Sequence, residues 1–162
     1  MCIRDRPNYL SGAVLSSTWF ELAKQPNILE FAMANVMNKI APGFTQNSKI
    51  NANHLSNEPS VCEAYVTDPL NHDKISVRLF SDFYAAGKWA IKNADKLPVE
   101  TLLVHGADDA IISSHGTVEF TENSKGLAKC KIFENTKHEP HNDKTHETLF
   151  AYTLSWLESR LD

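Results

Sequence analysis

Two loops carry the chemical signal in this sequence. The apolar run Leu102-Leu103-Val104-His105 stops on Gly106, and Asp108 and Asp109 follow at once. A second run ends at Phe133, and Asn135-Thr136-Lys137-His138 comes directly after it. A carboxylate beside an imidazole is the acid–base half of a nucleophilic triad. The carboxylate accepts a hydrogen bond from one ring nitrogen and fixes the tautomer, which leaves the other nitrogen to take a proton from a nucleophile. It also stabilises the imidazolium that forms during reaction. The plainer alternative is that both acids cap the following turn and that His138 is a surface histidine.

Other chemistry-bearing residues read more simply. His138, His141, Asp143 and His146 form a cluster that invites a metal, because zinc takes His and Asp ligands. Their spacing spans a loop and a helix start rather than one helical face, and HEPHND is not an HExxH motif. No metal is expected, and His141 and His146 read as solvated. Cys2, Cys62 and Cys130 are scattered and form no CxxC pair, which argues against a thiolate zinc site and a disulfide framework and fits a reducing compartment. His105, at the end of an apolar run, reads as a packing residue. Ser113 and Ser114 read as the start of a helix. Nothing calls for a cofactor.

The elements that must position Asp109 and His138 follow from periodicity. Gly12 to Ser16 is a short apolar run consistent with a buried strand. Asn27 to Ile40 has Leu29, Met33, Val36, Met37 and Ile40 at helical spacing and stops at Pro42-Gly43. Residues 44–58, rich in Asn and Ser, read as loop. Pro59 to Val66 suits a short helix with proline in its first turn. Ser76 to Ala94 is the longest helix, with Phe80, Phe83, Gly87, Ala90, Ile91 and Ala94 in one stripe. Thr101 to His105 is a buried strand. Ser114 to Ser124 is a helix with Val118 inward and Gly126 as its stop. Lys129 to Phe133 alternates as an edge strand does. Asp143 to Leu161 is a last helix, capped by Asn142 or Asp143, with Phe150, Leu154, Leu157 and Leu161 as its buried face. Strand, helix, strand, helix in the second half means parallel strands joined by crossovers. In such sheets ligands sit beyond the carboxyl ends of the strands, where Asp109 and His138 are expected to meet.

Composition narrows the classes. The chain has 162 residues, 42% hydrophobic and 22% charged, with a formal net charge of −4. This is an ordinary globular composition. No basic block points to nucleic acid, and no apolar run is long enough to cross a bilayer.

Several stretches together resemble one family. LSGAVLSS resembles its strand before the cap, although a proline usually follows where this chain has Thr18. AYVTDPLNHDKISVRL resembles its Asp-Pro-Leu cap segment, LPVETLLVHGADDAIIS its acid-bearing strand and loop, and KIFENTKHEPHND its last strand and histidine loop, closed by TLSWL. The family is the α/β-hydrolases of the monoacylglycerol lipase and lysophospholipase type, grouped with serine aminopeptidase-like hydrolases. The resemblance covers nearly all of residues 8–161. It implies an α/β fold, here the C-terminal part of an α/β-hydrolase, with the last three parallel strands, their flanking helices and a helical cap insertion over residues 19–97. It implies Asp109 as the triad acid, the third residue after the glycine, and His138 as the base. It implies a small lipid ester as substrate, a monoacylglycerol or lysophospholipid. Phe31, Met33, Met37 and Phe44 in the cap are candidates to line an acyl tunnel, Met because it adapts to flexible chains. For any one of them, packing the cap onto the sheet is the commoner role. Family caps often lie near membranes, so peripheral membrane contact through the cap of an otherwise cytoplasmic protein is the expectation, although no basic amphipathic stripe supports it independently.

The resemblance also implies a serine in a G-x-S-x-G elbow, before the strand that LSGAVLSS resembles. No G-x-S-x-G occurs among the 162 residues. The nucleophile and its oxyanion hole are therefore expected to be absent and the chain inert as it stands. MCIRDR, residues 1–6, reads like the translation of a sequencing-library end. It is expected to be a non-native leader on an incomplete domain spanning 7–162, so the lack of a signal peptide carries no weight. The first strand would then expose a long apolar edge, and the lone chain is expected to be aggregation-prone and poorly stable. Amide or peptide cleavage, carbon–carbon or carbon–halogen hydrolysis, and a non-catalytic binding module stand as alternatives.

Overall fold

The computed structural model describes residues 10–48 and 50–160. The expected leader, Cys2 and Leu161 lie outside the described residues. In chain order the elements are β1 (Ala13–Ser16), α1 (Ile28–Ile40), β2 (Thr45–Asn47), α2 (Pro59–Thr67), β3 (Lys74–Ser76), α3 (Val77–Lys92), β4 (Thr101–Gly106), α4 (Ser114–Asn123), β5 (Ala128–Phe133) and α5 (His146–Glu158). The main sheet is parallel, in the order β1-β4-β5, with Ala13 opposite Thr101 and Thr101 opposite Ala128.

Strand β4 lies between the other two, and every one of its residues is buried. Its unbroken apolar run follows from that position, since a parallel strand covered on both faces has no polar side. Alternate residues feed two cores. Leu103 joins Phe20, Ile91, Ala94, Phe120 and Ala128 on one face, against α3 and α4. Leu102 and Val104 join Phe133, Leu149 and Trp156 on the other, against α5. Each buried Leu, Ile, Val or Phe among them contributes roughly 1.5–3 kcal/mol by leaving water. Phe20 and Phe120 stack with centroids 4.3 Å apart. Helix α3 approaches so closely that a Cβ at Gly87 would collide with the carbonyls of Trp19 and Phe20.

Several local expectations change. Residues 44–58 are not all loop, because β2 pairs antiparallel with β3 through Thr45 opposite Ser76. Helix α1 begins with a capping box that is written in its sequence as Asn-x-x-Glu: Glu30 N donates to Asn27 Oδ1 at 2.8 Å, and Asn27 N donates to Glu30 Oε2 at 2.9 Å. On α3, Gly87 and Ile91 are buried as the stripe requires, but Phe83 is exposed and packs edge-on against Trp19. In α4 the inward residues are Gly116, Thr117 and Phe120, and Val118 is half-buried. On α5 the buried residues are Leu149 and Trp156, whereas Phe150, Leu154 and Leu157 are exposed. The true seam runs one residue earlier than the apolar stripe. Neither Asn142 nor Asp143 caps α5; its N-cap is Thr145, which makes no side-chain cap bond.

Candidate active site

Strands β4 and β5 run parallel and side by side, so their carboxyl ends share one rim. Gly106 lies opposite Phe133 at that rim, and the next amides extend the contact. Ala107 N donates to Phe133 O, and Asp108 N donates to Thr136 O, both at 2.9 Å. The approach is close enough that a Cβ at Gly106 would run into the carbonyls of Thr136 and Lys137. This glycine lets the acid loop and the histidine loop touch.

Of the two acids, Asp109 is the one that contacts His138. Its Oδ1 accepts from the amides of Ile111 and Ile112, each at 2.9 Å. Its Oδ2 accepts from His138 Nδ1 at 2.8 Å and from His105 Nε2 at 3.0 Å. The side chain has no exposure to solvent. Burial alone would raise its pKa, but the hydrogen bonds from His105, His138 and the Ile112 amide outweigh it and hold the carboxyl far below the usual range. Asp108, by contrast, is exposed.

His138 faces Asp109 through Nδ1, which fixes the proton there. Its Nε2 has no hydrogen-bond partner among the described residues, and the side chain is 25% exposed. A base held this way can exchange a proton at Nε2 while its other nitrogen stays engaged. The residue next to the loop start, Asn135, takes a left-handed conformation with φ 53, which asparagine tolerates better than most residues.

His105 is buried as a packing residue would be, yet its ring is polar in use. Nε2 faces two acceptors, Asp109 Oδ2 and the Ile112 carbonyl at 3.3 Å, so it carries the proton. Nδ1 then accepts from the Thr117 hydroxyl at 2.8 Å. The only sequence signal for this was its place four residues before Asp109. Asp143, too, differs from expectation: it is fully buried, and its oxygens are taken up by N–H donors of Asn57, Lys137 and Lys144. His146 Nδ1 lies 2.8 Å from the Asp143 carbonyl oxygen, and His141 is exposed. Phe31, Met33 and Phe44 are 40%, 59% and 55% exposed and Met37 is half-buried. Phe31 packs against Tyr84 of α3. A cleft of about 550 Å³ opens at the opposite end of the sheet, beside Ser11, Thr101 and Leu127, and holds none of the acid–base residues.

Comparison with known proteins fits this geometry. The family described as "Serine aminopeptidase, S33" matches residues 1–145, which include both loops. The chain belongs to this family. The monoacylglycerol lipase of Mycolicibacterium smegmatis is 26% identical over 157 residues, covering 96% of this chain and 56% of that relative. The crystal structure of the Paleococcus ferrophilus monoacylglycerol lipase superposes with a TM-score of 0.87 at 28% identity, covering 96% of this chain and 61% of that one. A soluble variant of the Saccharomyces cerevisiae monoglyceride lipase, solved with a substrate analog, gives 0.84 at 20% identity, covering 98% and 56%, a likeness of fold. The family resemblance read from the motifs is borne out, and the fold is that of an S33-type α/β-hydrolase. The chain spans 61% or less of the length of each of these relatives.

Proposed function

We propose that this S33 chain supplies the acid and base of a serine hydrolase that cleaves carboxylic esters of lipids, monoacylglycerols or lysophospholipids. One observation carries the reading. His138 is held by Nδ1 on a buried, fully hydrogen-bonded carboxylate while its Nε2 stays free. In the proposed reaction Nε2 takes the proton of an attacking serine hydroxyl and then gives it to the departing alcohol. Water deacylates the enzyme by the same route in reverse, and Asp109 stabilises the imidazolium in both halves. The ester class is supported by two relatives above 25% identity that are named monoacylglycerol lipases. Helix α1 adds a stripe of exposed apolar residues, Leu29, Met33, Val36 and Ile40, suited to contact with acyl chains or a lipid surface.

The serine and its oxyanion donors are assigned to a polypeptide segment outside these 162 residues, because no G-x-S-x-G is present within them. The test is to read the genomic DNA upstream of Pro7, express the whole frame and treat it with a fluorophosphonate probe. The proposal expects an in-frame G-x-S-x-G whose serine is labelled, while the 162-residue chain alone is neither labelled nor active on a monoacylglycerol. A stop codon directly upstream, or ester hydrolysis by the 162-residue chain itself, would overturn it. Amide cleavage is a second reading that the name of the matching family favours. The labelled protein separates the two, since an aminopeptidase would turn over aminoacyl anilides and leave monoacylglycerols intact.

A further inference from the structure

Residues 53–57, just before α2, are bound to the histidine loop. His138 N donates to His54 O at 3.3 Å, and Glu139 N donates to Leu55 O at 2.8 Å. Lys137 Nζ reaches Asn53 O at 2.7 Å and Ser56 O at 3.1 Å. Ser56 Oγ donates to Asn142 O at 2.9 Å, and Asn57 Nδ2 donates to Asn135 O at 2.9 Å. These partners are about eighty residues apart in the chain, and Leu55 and Ser56 are buried at the seam.

Asp143 is the centre of this contact. It is completely buried, and four N–H groups converge on it. Asn57 N at 3.1 Å and Lys144 N at 2.8 Å donate to Oδ1, while Lys137 N at 2.8 Å and Asn57 Nδ2 at 3.2 Å donate to Oδ2. Two of these donors come from the cap segment and one from the residue before His138. A carboxylate satisfied by donors on both sides is strong only while both sides are seated, since an orphaned buried acceptor costs more than an ordinary bond gains.

We propose that Asp143 and Asn57 are positioning residues. Seating of cap residues 53–57 on the histidine loop sets the approach of His138 to Asp109, so that unseating the cap there and breaking the acid–histidine contact are one event. The catalytic consequence rests on the hydrolase reading above, but the coupling itself does not.

The test uses nuclear magnetic resonance on the dilute, isotopically labelled 162-residue chain at about 15 °C, near the usual maximum of stability. It reads the hydrogen-bonded Nδ1–H proton of His138 and amide exchange at 137–139, with the β4 amides of Leu102–Val104 as internal reference. In Asn57→Ala, exchange at Lys137, His138 and Glu139 is expected to rise about tenfold or more relative to β4, and the Nδ1–H signal to be lost to exchange. Asp143→Asn should do the same more strongly; if it also releases β4, Asn57→Ala decides alone. Val66→Ser, on exposed cap surface, should change neither. Faster exchange at 137–139 with an intact His138 signal would make the contact merely structural and overturn the proposal. So would an unaffected Asn57→Ala, or release by Val66→Ser. Because no turnover is read, failure of the hydrolase test leaves this outcome separate.

Discussion

Asp109 answers to more than His138. Two backbone amides and two imidazoles share its oxygens, so its orientation is over-determined and its ionised form is stabilised in a buried place. This has a pH consequence. Its folded-state pKa lies below the ordinary value of about 3.9, so on acidification the unfolded chain takes up that proton first. Asp109's share of stability is therefore complete at neutral pH, declines below about pH 4.5 and is gone once the pH passes the folded-state value. Urea midpoints measured from neutral to acid pH should fall with a component that Asp109→Asn lacks; equal acid slopes in both proteins would contradict this. Asp109 and His138 were legible because residue type, loop position and strand order all agreed. His105 and Asp143 were not, because nothing in a sequence says which buried polar group a neighbouring loop will satisfy. His105 ends an apolar run, a pattern that suits packing, and Asp143 precedes a helix, a position that suits a cap.

At the level of elements, the site depends on how closely β4 approaches the loop after β5. Gly106→Ala would place a methyl group against the carbonyls of Thr136 and Lys137. It should destabilise the fold by about 1–3 kcal/mol and separate Asp109 from His138. Gly43→Ala, which meets nothing within 4 Å, is the control and should be nearly neutral. Urea melting of both variants checks this, and a neutral Gly106→Ala would show that the loops have slack. Helix and strand positions were legible from period and punctuation, since α1, α2 and α4 begin and end within a residue or two of the expected points. The face of α5 was not. Leu149, Thr153 and Trp156 form its inner row, but Thr153 is polar, so the all-apolar row Phe150, Leu154 and Leu157 looked better. A shift of one residue turns a helix by about 100°, enough to exchange a buried face for an exposed one. The β2–β3 pair is not legible because β2, Thr-Gln-Asn, has no apolar residue and β3, Lys-Ile-Ser, has only one, so neither three-residue strand shows an apolar alternation.

For the molecule as a whole, the sheet has two cores, and among the described residues β1 is one of its edges. That edge is four residues long rather than the long strip expected, and its residues are mostly half-buried. The larger apolar surfaces lie on the outer face of α5 and along α1, where Ile28 is 91% exposed. In the proposed ester hydrolase, Asp109 orients His138 for proton transfer. The most direct measurement compares Asp109→Asn with the parent in the protein expressed from the full reading frame, using a monoacylglycerol as substrate. The expected result is a kcat lower by roughly 10²–10⁴-fold with KM changed only a few-fold, because the substitution removes orientation and charge felt in the transition state. A kcat within a factor of two or three of the parent's would remove Asp109 from the mechanism.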